Sequence, residues 1–124
     1  MGSRYGGAEI LEYMKIFSIV LLVASVVSSC NRPDIEKGTP KCIKDKIKDF
    51  NKSSPCGNAG VNEYSFQGNT VYAFGPGTCG ADMTAEVMSS NCVSLGFLGG
   101  LTGNTKINGE EFSSAKFIKT IWKK

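Results

Sequence analysis

The chain of 124 residues contains no histidine. That removes Ser–His and Cys–His nucleophilic pairs and His-ligated metals from consideration. It has no Cys-x-x-Cys, and its five cysteines stand at spacings foreign to zinc sites. Neither GxxxxGK[ST] nor GxGxxG occurs, so its glycine-rich stretches are not phosphate loops of known pattern. The net charge is only +3, without the concentrated basic face that nucleic-acid binding needs. No cofactor or metal is expected. There is also no apolar run near the ~20 residues a bilayer span requires.

The apolar run that does occur covers residues 16–27. Lys15 precedes it, and Ser28, Ser29 and Cys30 follow. A short cationic start, an apolar stretch of ~7–15 residues and small residues at its end make a secretory signal. Ending on Val27-Ser28-Ser29-Cys30, it resembles a bacterial lipoprotein signal with its lipobox. The expectation is a signal peptide over residues 1–29, with either Met1 or Met14 as the start. Cys30 is then the lipidated residue, and residues 30–39 form a polar tether. Asn31 follows the cysteine where Asp would retain the protein at the inner membrane. The expected location is therefore the outer membrane, lipid-anchored, facing periplasm or cell surface. The membrane partner acts through lipid on Cys30.

Cysteine parity agrees with this. With Cys30 set aside, Cys42, Cys56, Cys79 and Cys92 form an even set, and export places them where disulfides persist. Four cysteines allow three pairings. Closeness in sequence favours Cys79 with Cys92, and hence Cys42 with Cys56.

Residues 40–124 are expected to form one α+β domain: an N-terminal helix on a small antiparallel sheet, stapled by disulfides. Ile43, Ile47 and Phe50 recur at helical spacing over residues 40–52, with Thr39 as cap and Pro40 in the first turn. Residues 63–74 read as a hairpin turning at Gln67-Gly68-Asn69. Residues 83–88 are a short element that fits a strand, and residues 93–98 are apolar with Gly96 among them. Residues 99–109 hold four glycines and read as a flexible loop. Phe, Ile, Thr and Trp over residues 116–123 favour a strand over a helix.

Several of these residues carry a resemblance: Tyr64, Val71-Tyr72-x-Phe74, Cys79-Gly80-x-Asp82-Met83, Asn91-Cys92, Gly96-Phe97-Leu98-Gly99-Gly100 and Ile121-Trp122. In this order they are similar to a small lipoprotein domain of unknown function found in Bacteroidota, over roughly residues 42–124. The resemblance implies a fold and a compartment, and no activity.

Function is expected to be binding rather than catalysis. Tyr64, Tyr72, Asn104 and Trp122 are the candidate surface for an envelope protein or glycan, on a monomer. A second expectation is an exported inhibitor of a hydrolase that presents loop 99–109. A third is a carboxylate-dependent envelope hydrolase using two of Asp82, Glu86, Glu110 and Glu111, which would need carboxyls ~5–9.5 Å apart across a cleft.

Overall fold

The computed structural model describes residues 32–124. The signal-like segment, Met14, Cys30 and Asn31 lie outside the described residues.

Helix α1 spans Lys41–Ser53. Its apolar stripe works as the spacing predicts: Ile43 and Ile47 are fully buried and Phe50 packs beside them. Pro40 occupies the N-cap with extended ψ, and no side chain caps the helix. Thr39 does not cap, contrary to expectation. Its hydroxyl donates to Glu36 O at 2.7 Å and closes the turn that precedes the helix. The C-terminal end is held by the last residue of the chain. Lys124 Nζ donates to Asn51 O at 3.0 Å and also to Ser54 O. A cation on the orphan carbonyls of a helix C-terminus suits both their hydrogen bonding and the helix dipole.

Five strands form an antiparallel sheet in the order β4-β3-β2-β1-β7. They are β1 Gly60–Phe66, β2 Asn69–Gly75, β3 Thr84–Ser89, β4 Ser94–Gly99 and β7 Lys116–Lys123. The β1–β2 connection is two residues, Gln67 and Gly68, both at positive φ. That geometry matches the twist of a tight hairpin. Asn69 already belongs to β2. The chain leaves β4 at one edge and returns as β7 at the other, so it must cross the sheet. The crossing segment contains the two-residue strands β5 Lys106–Ile107 and β6 Glu110–Glu111 and a 3₁₀ turn Phe112–Ser114.

This crossing gives the sheet two covered faces. Helix α1 covers one, over Val61, Tyr72, Phe74, Met88 and Trp122. Ile107, with Phe112 and Ala115, covers the other over Phe66, Val71 and Val87. Strand β2 therefore alternates between two cores rather than between core and water: Val71 and Ala73 on one side, Tyr72 and Phe74 on the other. Loop 99–109 is thus not simply a flexible loop, since Ile107 within it is among the most buried side chains of the protein.

Strand β7 is irregular for a reason visible in its residues. Val61 pairs Trp122 while Asn62 pairs Thr120, which leaves Ile121 as an extra residue. A bulge breaks strict alternation. Ile121 and Trp122, neighbours in sequence, are consequently both buried on the helix side. A second irregularity falls at Ile118.

The segment before the helix also joins the fold. Glu36 N–H donates to Ile121 O at 3.0 Å, and Ile35 packs against the helix-side core. Packed contacts therefore begin inside the stretch expected to be tether.

The disulfides are Cys42–Cys92 and Cys56–Cys79. This corrects the pairing favoured by closeness. Cys42 and Cys56 flank α1, whose 13 residues hold them ~20 Å apart at 1.5 Å per residue. Cys79 and Cys92 flank β3, whose six residues span ~20 Å. Bridging needs Cα atoms within about 7 Å. Each cysteine instead reaches across to the other element, at Cα separations of 6.1 and 5.5 Å. With sequence separations of 50 and 23 residues, loop-closure entropy assigns the bridges about 4 and 3.5 kcal/mol.

The second bridge has a partner clasp. Asn58 Nδ2 donates to Thr78 Oγ1 at 2.7 Å, and Thr78 N–H donates back to Asn58 Oδ1 at 3.1 Å. Gly77 sits beneath it with φ +93°, where a Cβ would fall 2.2 Å from Asn58 Oδ1 and 2.6 Å from Cys56 Cβ. Gly77→Ala is expected to cost at least ~2 kcal/mol through backbone strain and this collision. Gly57→Ala, whose Cβ would meet nothing within 4 Å, should change stability by less than ~0.5 kcal/mol. Urea unfolding of the oxidised proteins measures both, and equal stabilities would contradict the geometry.

Candidate binding surfaces

The four residues expected to form one binding surface do not meet. Tyr72 is 4 % exposed and Trp122 3 % exposed, both in the core beneath α1. Trp122 lies edge-on to Phe50 at 6.1 Å. Their burial corrects the expectation: both sit on the face that the helix covers. Burial raises the pKa of Tyr72 above the usual phenol value, and the Glu63 carboxylate adds to this, while a hydrogen bond with Ser90 opposes it. Tyr64 lies on the opposite face of the sheet, packed with the second core. Asn104 lies in the loop beyond β4.

Around Tyr64 the second face is incompletely covered. Tyr64 pairs Phe117 across the strands, their rings 5.8 Å apart, and Phe112 meets Tyr64 at 5.1 Å. Phe117 remains 53 % exposed and its neighbour Ile118 48 % exposed. Further along the same two strands, Asn62 pairs Thr120 and Gly60 pairs Lys123. There the surface opens into a shallow concavity of about 550 Å³, floored by Gly60 and Gly75 and bordered by Asn58, Asn62, Pro76 and Lys123. It combines a bare glycine floor with amide and ammonium donors. A flat or extended polar ligand fits that chemistry; an enclosed small molecule does not.

The second surface is the loop that carries Asn104. Gly99 N–H donates to Asn104 O at 2.8 Å and Asn104 N–H donates to Gly99 O at 3.1 Å. The Asn104 side chain braces the same turn from inside. Its Nδ2 donates to Phe97 O at 2.6 Å and Lys106 O at 2.9 Å, and its Oδ1 accepts from Lys106 N–H at 3.3 Å. Gly99, Gly100 and Gly103 take positive φ, which lets the chain turn this tightly. At the tip Leu101 is 88 % exposed. Asn104 therefore positions the loop, and Leu101 is what the loop presents.

The carboxylates are dispersed. Glu86 lies in the groove between α1 and the sheet, beside Lys46 and Asp49. Glu110 is held on the crossing segment, where Gln67 Nε2 donates to it at 3.0 Å and Ser114 Oγ at 2.9 Å. Glu111 pairs Lys106 in the small β5–β6 hairpin. Asp82 stands exposed in the β2–β3 loop at positive φ.

Sequence reasoning passed over Leu101, Ile107 and Phe117. Leu101 and Ile107 are the two large apolar residues within loop 99–109. One becomes a core plug and the other a projecting tip, and composition treats them alike. Only the crossing of the sheet distinguishes them.

Asn104→Ala should loosen the loop more than the fold. Amide exchange at Gly99, Asn104 and Lys106 is expected to speed at least tenfold, with global stability reduced by about 1 kcal/mol; unchanged exchange would remove the positioning role. Tyr72 generates a pH dependence. Its folded-state pKa lies above the unfolded one, so its contribution is complete below pH ~10 and is lost as pH rises beyond that. Stability measured by urea unfolding from pH 8 to 11 should therefore fall less steeply in Tyr72→Phe than in the parent. An equal or steeper fall in the variant would contradict this.

No curated protein and no solved structure matches the chain. A family model described as a domain of unknown function, DUF6970, matches residues 45–124. That span contains α1 from residue 45 onward, every strand among the described residues and three of the four bridged cysteines, and by it the chain belongs to this family of domains of unknown function.

Proposed function

We propose that this protein is a lipid-anchored envelope lipoprotein, held in the outer membrane through Cys30, whose folded unit is a non-enzymatic binding module. The observation that carries the binding reading is the braced turn 99–104. Its hydrogen bonds hold the backbone on both sides of an exposed leucine, so docking Leu101 into an apolar pocket of an envelope protein requires little further backbone ordering. An aliphatic side chain seated in a partner pocket is one of the anchors around which a binding interface is built. Two observations support the anchor. The four cysteines of the described residues are paired with one another. That leaves Cys30 over, at the position a lipobox requires.

The same turn also favours a second reading, an exported inhibitor of a hydrolase, because a braced loop presented to a cleft is what inhibition requires. A carboxylate-dependent hydrolase draws less from the structure, since Glu86 and Glu110 sit on opposite sides of the sheet.

Labelling with a radioactive fatty acid should mark the parent protein and not Cys30→Ser; label that persists in the variant would sink the anchor. Crosslinking in the intact envelope should recover one defined protein, lost in Leu101→Asp. Recovery unaffected by Leu101→Asp would remove the loop from the interface. Inhibition of a panel of envelope and secreted proteinases, abolished by Leu101→Asp, would select the inhibitor reading.

A further inference from the structure

The outer edge of β7 carries side chains that the fold leaves unexplained. Strand β7 is the last in the sheet and pairs only with β1. Phe117 and Ile118 are half exposed on it, Lys116 and Lys119 flank the pair, and Lys123 stands near the strand's far end. Lysines on an edge strand deter pairing with other strands. They do not account for two neighbouring large apolar residues beside them.

The segment before the helix meets this same strand. Glu36 is hydrogen-bonded to Ile121 of this same strand, and Ile35 is packed next to it. Cys30 is five residues from Ile35. Fully extended, five residues reach at most about 18 Å. From Ile121 back to Phe117 is four residues of strand, about 13 Å. A lipid on Cys30 and the Phe117–Ile118 pair are therefore tied to one point of the fold by lengths of similar size. A bilayer that accepts the lipid is kept within reach of this edge.

We propose that the β7 edge is a membrane-docking surface: Phe117 and Ile118 enter the headgroup region, and Lys116 and Lys119 contact anionic lipid headgroups. This rests on lipidation of Cys30 as proposed above. Aromatic and aliphatic side chains flanked by lysines suit an interface that is apolar below and negatively charged above. The opposing charges near the strand are few. Glu63 pairs Lys119 in register, and Asp34 and Glu36 lie on the docked segment, while Lys116 and Lys123 stand opposite Ser65 and Gly60. An acidic partner strand is the competing occupant. It would leave the edge indifferent to lipid composition.

The test uses the full chain, purified with its lipid and reconstituted in two kinds of vesicle. One contains phosphatidylglycerol with phosphatidylethanolamine, the other phosphatidylcholine alone. Hydrogen exchange of residues 116–120 is expected to be at least tenfold slower on the anionic vesicles. Exchange in turn 99–104 should not differ between them. The double variant Ile118→Asp, Lys119→Glu should lose the slowing, while Leu101→Asp should keep it. Should the double variant fail to fold, the comparison of the two vesicles on the parent protein decides by itself. Equal exchange on both vesicles, with lipid found on Cys30 by mass spectrometry, overturns the docking surface and leaves the anchor standing. Absence of lipid on Cys30 overturns both.

Discussion

Two rigid elements clamped at both ends organise this protein. Cys42 at the start of α1 is bonded to Cys92 beyond the end of β3. Cys56 beyond the end of α1 is bonded to Cys79 ahead of β3. The helix is thereby fixed against the sheet at two points and cannot swing about either. A single bridge would leave a hinge. With two, Ile43, Ile47 and Phe50 are held over one strip of sheet. The small core needs this. A domain of this size buries only ~60 % of its unfolded surface, and cross-links restrict the unfolded chain where apolar area is short. Phe50 shows how closely the clamp fixes packing, meeting Phe74 edge-on at 5.5 Å as well as Trp122.

The clamp governs one face; connectivity governs the other. Because β7 lies beside β1, the chain must travel from one edge of the sheet to the opposite edge. Four inter-strand spacings amount to ~19 Å. A segment crossing that width over an apolar face must supply apolar groups of its own, and Ile107 and Phe112 do so. Side chains of the segment serve its own backbone: Asn104 Nδ2 donates to Lys106 O and Ser114 Oγ donates to Glu111 O. This is why a stretch rich in glycine and asparagine is hydrogen-bonded along much of its length.

What the residues disclosed and what they hid follow from these two constraints. Helical spacing located α1, and β-branched and aromatic residues located the hairpin and β7, because those signals are local. Cysteine pairing is not local. Nearness in sequence pointed the wrong way because a rigid element intervenes between each neighbouring pair. Tyr72 and Trp122 read as surface aromatics only while one face of the sheet is assumed wet. With both faces covered, and a bulge that turns Ile121 and Trp122 to the same side, they become core. Asn104, expected on the binding surface, spends its side chain inside its own loop, and Leu101 is the side chain that the loop exposes.

The sheet's width would then separate the two proposed tasks, anchoring and recognition. The chain segment leading from Cys30 meets the fold at β7. The turn presenting Leu101 projects beyond β4, at the other edge. A lipid-anchored domain has to avoid burying its recognition surface in the bilayer that holds it. If the β7 edge docks on headgroups as proposed, the sheet itself would act as the spacer, with the Leu101 turn ~19 Å away across its width. The helix clamp keeps that spacer stiff, since the bridges span β3, one strand in from the presenting edge. On this reading a short tether is an advantage. A long flexible one would let the domain turn over and would cost the ordering that the braced loop has already supplied.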